Sequence, residues 1–350
     1  MQQRRDLKGM TRRELETFVE ALGERAFRGR QIMRWIYHRG AEDFSVMSDL
    51  PKALRKRLSE RARLSRLELI AEEESRDGTR KFLFGLSDGG AIESVLIPDE
   101  DRLTLCVSTQ VGCAMGCRFC LTARGGFARD LTAAEIVDQV LQVRRLLPSS
   151  KRITNVVLMG MGEPLANYQE VVKAIEVMED DLGLGLSARR ITLSTVGLLP
   201  ELERLFVDGV RCRLAISLNA SDQETRQRLM PISRKYPLEQ LLDVCRRLPL
   251  PPRERITFEY VLIAGVNSSP EDARRLASIL KGIRCKVNLI PLNEAPKIPF
   301  RSPSREEILE FQRILIEAGY TALIRESRGA DISAACGQLR GKVIRGERRP

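Results

Sequence analysis

From residue 102 onward the chain alternates short apolar runs with helix-length amphipathic stretches, and this limits the possible folds more than any other feature. The runs are RLTLCVSTQVG (102–112), ITNVVLMGMG (153–162), RRITLSTVG (189–197), CRLAISLNA (212–220), RITFEYVLIAG (255–265) and CKVNLIPLN (285–293). Between them lie helical stretches such as 131–147, 168–183 and 304–319. An apolar strand followed each time by a helix implies parallel pairing, because parallel neighbours need a long crossover and the helices then bury the sheet. Polar and Gly-rich residues gather at the C-terminal strand ends, in MGMGEP, STVG, SLNA and PLNEAP. In β/α barrels that end holds the active site. Six strands favour a partial (β/α)6 TIM-like barrel over a complete eight. A doubly wound sheet stays open as the alternative, although no Gly-x-Gly-x-x-Gly opens the first βα turn.

Residues 11–66 read as short amphipathic helices. Ile32, Trp35 and Ile36 recur at helical spacing, so Trp35 is expected inside a small helical head, with five arginines (Arg25, Arg28, Arg30, Arg34 and Arg39) largely off that stripe. His38, the single histidine, is expected at the surface. Two β-rich runs flank SDGG within 79–97, which predicts a hairpin joining head to body. The expected division is a basic helical accessory domain over 1–75, a linking hairpin over 76–101 and the barrel over 102–350.

The chain carries a net charge of +11. Residues 1–66 hold 17 Lys and Arg against 9 Asp and Glu, residues 340–350 hold 5 against 1, and the stretch between is close to neutral. A neutral body with a basic head and tail suggests a polyanionic partner. No apolar run is long enough for a transmembrane span, and MQQRRDLKGM lacks the apolar core of a secretory signal. A cytoplasmic protein is expected, whose clustered cysteines serve metal binding or redox chemistry in preference to structural disulfides.

Three of the 8 cysteines, Cys113, Cys117 and Cys120, follow a C-x3-C-x2-C spacing directly after the first strand. Structural zinc sites are closed by four ligands, and here neither a nearby His nor a fourth Cys completes the set. Three thiolates on an iron–sulfur cluster would leave one iron open, and Phe119 would help shield it. Cys212, Cys245 and Cys285 read as small core hydrophobes. Cys106 lies on the first strand, and Cys336 in the Gly-bracketed GADISAACGQLRG.

The trio, with an aromatic just before its last Cys and GEP one strand later, resembles the radical S-adenosylmethionine superfamily. More narrowly, AIESVLIPDEDRLTLCVSTQVGCAMGCRFC, MGMGEPL, TLSTVG, ISLNA, NLIPLN and DISAACGQL resemble the dual-specificity RNA adenine-C2 methyltransferases that modify 23S rRNA and certain tRNAs. A sister family methylates C8 of the same rRNA adenine; AMGCRFC and LTARGGF look more like the C2 branch. The resemblance implies a [4Fe–4S] cluster on Cys113, Cys117 and Cys120. It implies S-adenosyl-L-methionine contacts at Gly162, Glu163, Ser194, Ser217, Leu218, Asn219 and Asn293. It makes Cys336 the methyl-carrying cysteine, Cys106 its resolving partner through a transient disulfide, and Glu93 the proton acceptor. Implied partners are 23S rRNA and tRNA, a one-electron donor and a thiol reductant, with the enzyme a monomer off the membrane. Relatives often have Pro where this chain has Glu294 after Asn293.

Overall fold

The computed structural model describes residues 4–296, 298–334 and 338. In the head, β1 (Arg5–Asp6) leads into α1 (Arg12–Glu20), α2 (Phe27–Tyr37) and α3 (Lys52–Arg61), and β2 (Ala62–Arg63) returns to pair in parallel with β1. Thr11 starts α1 reciprocally: its hydroxyl accepts the Glu14 N–H, and the Glu14 carboxylate accepts the Thr11 N–H at 3.0 Å. The buried face of α2 consists of Gly29, Ile32, Met33, Ile36 and Tyr37. Trp35, expected inside, is half-buried on the flank of that stripe. Met33 and Tyr37 complete the face at helical spacing and leave position 35 at its edge. There the indole N–H donates to Asp49 Oδ1 at 2.5 Å and the Arg39 guanidinium lies 4.2 Å above the ring. His38 is exposed.

Four antiparallel strands follow, β3 (Glu68–Glu74), β4 (Arg80–Gly85), β5 (Ala91–Asp99) and β6 (Arg102–Cys106). A short antiparallel pair, β7 (Gln110–Gly112) and β8 (Phe127–Asp130), brackets the cysteine loop and the one-turn helix α4 (Leu121–Arg124). Then α5 (Ala133–Arg145), β9 (Asn155–Leu158), α6 (Tyr168–Glu179), β10 (Ile191–Thr195), α7 (Leu199–Val207) and β11 (Arg213–Ser217) alternate. The chain continues through α8 (Gln223–Leu229), α9 (Leu238–Arg247), β12 (Ile256–Leu262), α10 (Pro270–Ile279), β13 (Cys285–Pro291), α11 (Arg305–Glu317) and β14 (Ala322–Ile324).

These strands form one 10-stranded sheet in the order β14-β13-β12-β11-β10-β9-β6-β5-β4-β3. The strands from β6 to β14 in that order are all parallel, and among the described residues β14 and β3 remain as unpaired edges, so the barrel is open. Each of the six expected strands is present. β14 is a seventh, three residues long and running from buried Ala322 to exposed Leu323 and half-buried Ile324, too short for a pattern to announce. The hairpin β4–β5, expected as a link, extends the barrel's own sheet through β5 and β6. Residues 68–74, read above with the helical head, form β3, whose seven residues are all exposed and so carry no apolar alternation. Its glutamates guard the edge: Glu72 pairs with Arg80, and Glu73 with Lys81 at 2.7 Å.

Lys8 and Asp138 join head to barrel with almost no solvent contact, their side chains 2% and 1% exposed and 2.7 Å apart. Asp138 on α5 also accepts from the Leu67 N–H at 2.7 Å, and Tyr37 donates to the Lys8 carbonyl at 2.6 Å. Breaking one half of a buried pair strands the other charge, so Asp138→Ala is expected to cost about 3–5 kcal/mol. Urea denaturation checks this; a loss under about 1 kcal/mol would show that the pair is not what fastens the head.

Candidate functional site

The segment from β7 to β8 meets the chain after β9, where Gln110 donates to the Met161 carbonyl, and the end of α8, where Arg118 donates to the Leu229 carbonyl. Gly112 opens the loop between β7 and β8 at φ +78°, and a Cβ there would stand 1.9 Å from the Gly126 carbonyl oxygen, so only glycine lets the two strands close. The Cys113 N–H donates to that same carbonyl at 2.9 Å, and the Cys120 N–H to the Cys117 carbonyl at 3.2 Å. Cys113 and Cys117 are buried and Cys120 half-buried. Phe119 and Met115 pack half-buried against the core beside them. The three thiols lie within electrostatic reach of one another. Burial pushes the Cys113 thiol up to about 12 and Cys117 well above its ordinary value, with neighbouring cysteines adding to both. Thiols so placed hold their protons until a metal displaces them.

The MGMGEP loop after β9 lies across the chain leaving β6. Thr109 and Gln110 donate to the Met161 carbonyl at 2.8 and 3.1 Å, and the Glu163 N–H to Gln110 Oε1 at 2.8 Å. Gly162 adopts φ +109°, and a Cβ there would sit 2.7 Å from the Gln110 side chain. Glu163 is buried, its Oε1 accepting from the Leu165 N–H at 3.0 Å and its Oε2 from the Val196 N–H at 2.9 Å. Burial raises its carboxyl to about 7, against the opposing pull of Thr195, Val196 and Leu165.

That shift has a consequence for the chain without cofactor. Between the usual 4.5 and about 7 the folded state holds a proton that the unfolded state has released. Stability therefore falls as pH rises through this window, by roughly 3 kcal/mol. Glu163→Gln is expected to flatten the slope. Denaturation of metal-free protein at pH 5 and pH 7 measures it, and equal slopes in the two proteins would contradict the assignment.

Ser194 on β10 and Ser217 at the end of β11 are half-buried. Leu218 is fully buried; its N–H donates to the Glu259 carbonyl at 3.0 Å and its carbonyl accepts from Arg226. Asn219, at φ +58°, spends its amide internally: Oδ1 accepts from the Val261 N–H at 2.8 Å and Nδ2 donates to Met230 Sδ at 3.3 Å. Of these three neighbours only Ser217 keeps a partly exposed polar group. Asn293 lies past β13, where its Oδ1 accepts from Ser327, and the neighbouring Glu294 carboxylate caps the Ser302 N–H at 3.0 Å.

Two further residues in the Ser217 register row carried no sequence signal. Glu259 on β12 is paired in register with Ser217 and with Asn288 on β13. Asn288 Nδ2 donates to Glu259 Oε1 at 2.8 Å, and Asn288 Oδ1 is buried with no partner among the described residues. Register partners share a face, so this buried acceptor stands on the same face as Ser217, two strands away.

Glu93 on β5 and Cys106 at the end of β6 are both buried. Val95 is the register partner of Cys106, and Glu93, two residues from Val95, shares that face. The Ser108 hydroxyl fixes this corner by donating to the Glu93 carbonyl at 2.6 Å. Cys336 lies outside the described residues. The chain leading to it is tied to the β3–β4 turn: Asp331 accepts from the Ser75 hydroxyl at 2.5 Å and Asp77 from the Gly329 N–H at 3.0 Å, while Lys81 donates to the Ile332 carbonyl.

Two buried cysteines and one half-buried cysteine on one loop, a buried Glu163 within electrostatic reach of Cys113 and Cys117, and a buried acceptor without a partner among the described residues fit an open-iron cluster with a bound cofactor. An open α/β barrel with this site at its strand ends defines a radical S-adenosylmethionine enzyme, the class that uses a [4Fe–4S] cluster. A model of the radical SAM superfamily matches residues 107–277, and one of the ribosomal RNA large subunit methyltransferase N-terminal domain matches residues 5–64. A dual-specificity RNA methyltransferase RlmN of Geobacter sulfurreducens is 55% identical over 97% of this chain and 92% of its own length. The protein of that name from Syntrophus aciditrophicus is 52% identical, with 97% of each chain covered. The crystal structure of a radical SAM methyltransferase from Sphaerobacter thermophilus superposes with a TM-score of 0.91 at 45% identity, covering 97% of this chain and 100% of that one. This chain belongs to the dual-specificity RNA methyltransferase family.

Proposed function

We propose that this enzyme methylates C2 of an adenine in 23S rRNA and in certain tRNAs, acting as a cytoplasmic monomer. The observation that carries this reading is the 55% identity, over 97% of the chain, with a dual-specificity RNA methyltransferase. The basic head, with 17 Lys and Arg against 9 Asp and Glu over residues 1–66, suits a partner held through phosphates. The target base is then presented from a loop or flipped from its stack. Among the described residues no helix is long and apolar enough to cross a membrane.

Adenine C2 is electron-poor and cannot attack a sulfonium methyl, whereas a thiolate can. Cys113, Cys117 and Cys120 would hold the cluster, with Gly162, Glu163, Ser194, the 217–219 segment and Asn293 around the cofactor. Bound there, the two groups supply a methyl for a thiolate and, from a second cofactor molecule, a radical able to remove hydrogen from an S-methyl group. Cys336 takes the methyl as a thioether. Once that methyl has lost a hydrogen atom, its carbon bonds to C2 and joins RNA to protein. The radical adduct then gives up one electron to the oxidised form of the one-electron carrier, and Glu93 accepts the C2 proton. The Cys106 thiolate attacks Sγ of Cys336; the sulfur–methylene bond breaks, its electron pair takes up a proton, and C2 carries a methyl group. The Cys106–Cys336 disulfide left behind is reopened by a thiol reductant.

Chain reach supports the pairing of these cysteines. Lys81, whose ammonium holds the Ile332 carbonyl, pairs in register with Val95, and Val95 with Cys106. Two strand spacings are about 10 Å, and the four residues from Ile332 to Cys336 can span about 14 Å. Mass spectrometry of rRNA and tRNA nucleosides from cells with and without the gene tests the function. Loss of 2-methyladenosine from both RNAs is expected; loss of the C8 isomer instead would assign the sister activity, and an unchanged spectrum would overturn the reading.

A further inference from the structure

Among the described residues Arg226 is the largest side chain with no solvent contact, at 0% exposure. It stands on α8, among charged residues at 224 and 228, and nothing in the sequence marks it out. Nη2 donates to the Val196 carbonyl at 2.8 Å, Nε to Leu218 at 3.2 Å and Nη1 to the Ser233 hydroxyl at 3.0 Å. The Ser217 and Tyr236 carbonyls are each 3.5 Å away. The guanidinium thus bridges the loops that follow β10 and β11, which carry the STVG and SLNA stretches.

All of these acceptors are neutral, and among the described residues no carboxylate pairs with Arg226. Burial lowers its pKa to about 10, which leaves it cationic at neutral pH. A buried cation without a counter-ion is strongly disfavoured. The ionisable groups that face it are Cys117 and Cys245. Cys117 belongs to the trio, and α8 meets the trio's loop directly: the Arg118 N–H donates to the Leu229 carbonyl at 2.9 Å, and Pro231 lies against Gly116. Three thiolates around a cubane core leave a net negative charge, which grows on reduction.

We propose that Arg226 is a positioning residue for the iron–sulfur centre, supplying the buried positive charge that offsets the centre's negative charge and eases its one-electron reduction. Fixed charge beside a cluster is one of the levers that set its potential. The electron comes from the external donor, which is oxidised as the centre is reduced. The inference rests on the radical-enzyme reading above, and wild-type protein that fails to load a cluster would overturn that reading itself.

Hydrogen bonding and charge are separated by Arg226→Gln, which keeps a donor without charge, and Arg226→Lys, which keeps the charge with a different donor set. Each is reconstituted with iron and sulfide, checked for fold by circular dichroism, and titrated with dithionite while the reduced cluster is followed by electron paramagnetic resonance. The glutamine variant is expected to hold at least about tenfold less reduced cluster, relative to oxidised, at a fixed potential, a downward shift of about 59 mV for one electron. The lysine variant should stay within about threefold of wild type. A loaded glutamine variant with the wild-type potential overturns the proposal, as does a lysine variant shifted as far as glutamine. If glutamine does not load, lysine decides alone, its wild-type potential supporting the proposal. A lysine variant that does not fold, or folds without loading, assigns Arg226 to loop geometry and overturns the charge role.

Discussion

Cys106→Ala is expected to accumulate a covalent protein–RNA adduct, with multiple turnover falling by several orders of magnitude, on the scale seen when an enzyme loses its nucleophile. The reason is chemical. Once the methyl carbon bridges Cys336 and C2 and the C2 proton has left, the bond that remains to break is carbon–sulfur, and a thiolate attacking that sulfur breaks it. Alanine cannot. Cys106 sits at the end of β6 at 7% exposure, so solvent thiols have little access to replace it. Because alanine is small and apolar, the strand should tolerate it. Denaturing electrophoresis with labelled RNA, followed by nuclease digestion and mass spectrometry, reads the outcome. A variant that runs without RNA and turns over normally would remove Cys106 from the resolving role.

Cys336→Ala is expected to abolish methylation outright, since the proposed methyl-carrying thiol is then gone. It should also erase the adduct in the Cys106→Ala background, which orders the two residues in the sequence of steps. The cluster should be untouched, with iron content and the brown absorbance at wild-type level, because Cys113, Cys117 and Cys120 form their own loop. Residual methyl transfer in the single variant, or adduct in the double variant, would show that another residue carries the methyl.

The barrel was legible because buried parallel strands must be apolar over most of their length, and β9 and β11 to β13 are, while β10, written ITLST, still alternates Ile191 and Leu193 on its buried face. β3 was not, since a wholly exposed edge strand written ELIAEEE has no reason to alternate. Trp35 misled for a related reason: at i, i+3, i+4 spacing it completes an apolar stripe, yet Met33 and Tyr37 complete the same stripe one residue further round the helix. Among the proposed site residues, the cysteine spacing and the GEP run stood out because their chemistry is local. Asn219 stood beside Ser217 in the sequence as an equal candidate, and folding turned its amide toward Val261 and Met230.

By itself the sequence determined the class of fold, the open three-thiol loop and the family, because strand periodicity, ligand spacing and motif wording are written in neighbouring residues. Only the tertiary structure decided that Glu93 and Cys106 share a face, that the approach to Cys336 is strapped to the β3–β4 turn, and that a guanidinium with no acid partner stands behind Cys117. Those relations join residues up to 256 positions apart, as Ser75 and Asp331 are. They arise from strand register and burial, which no local pattern encodes.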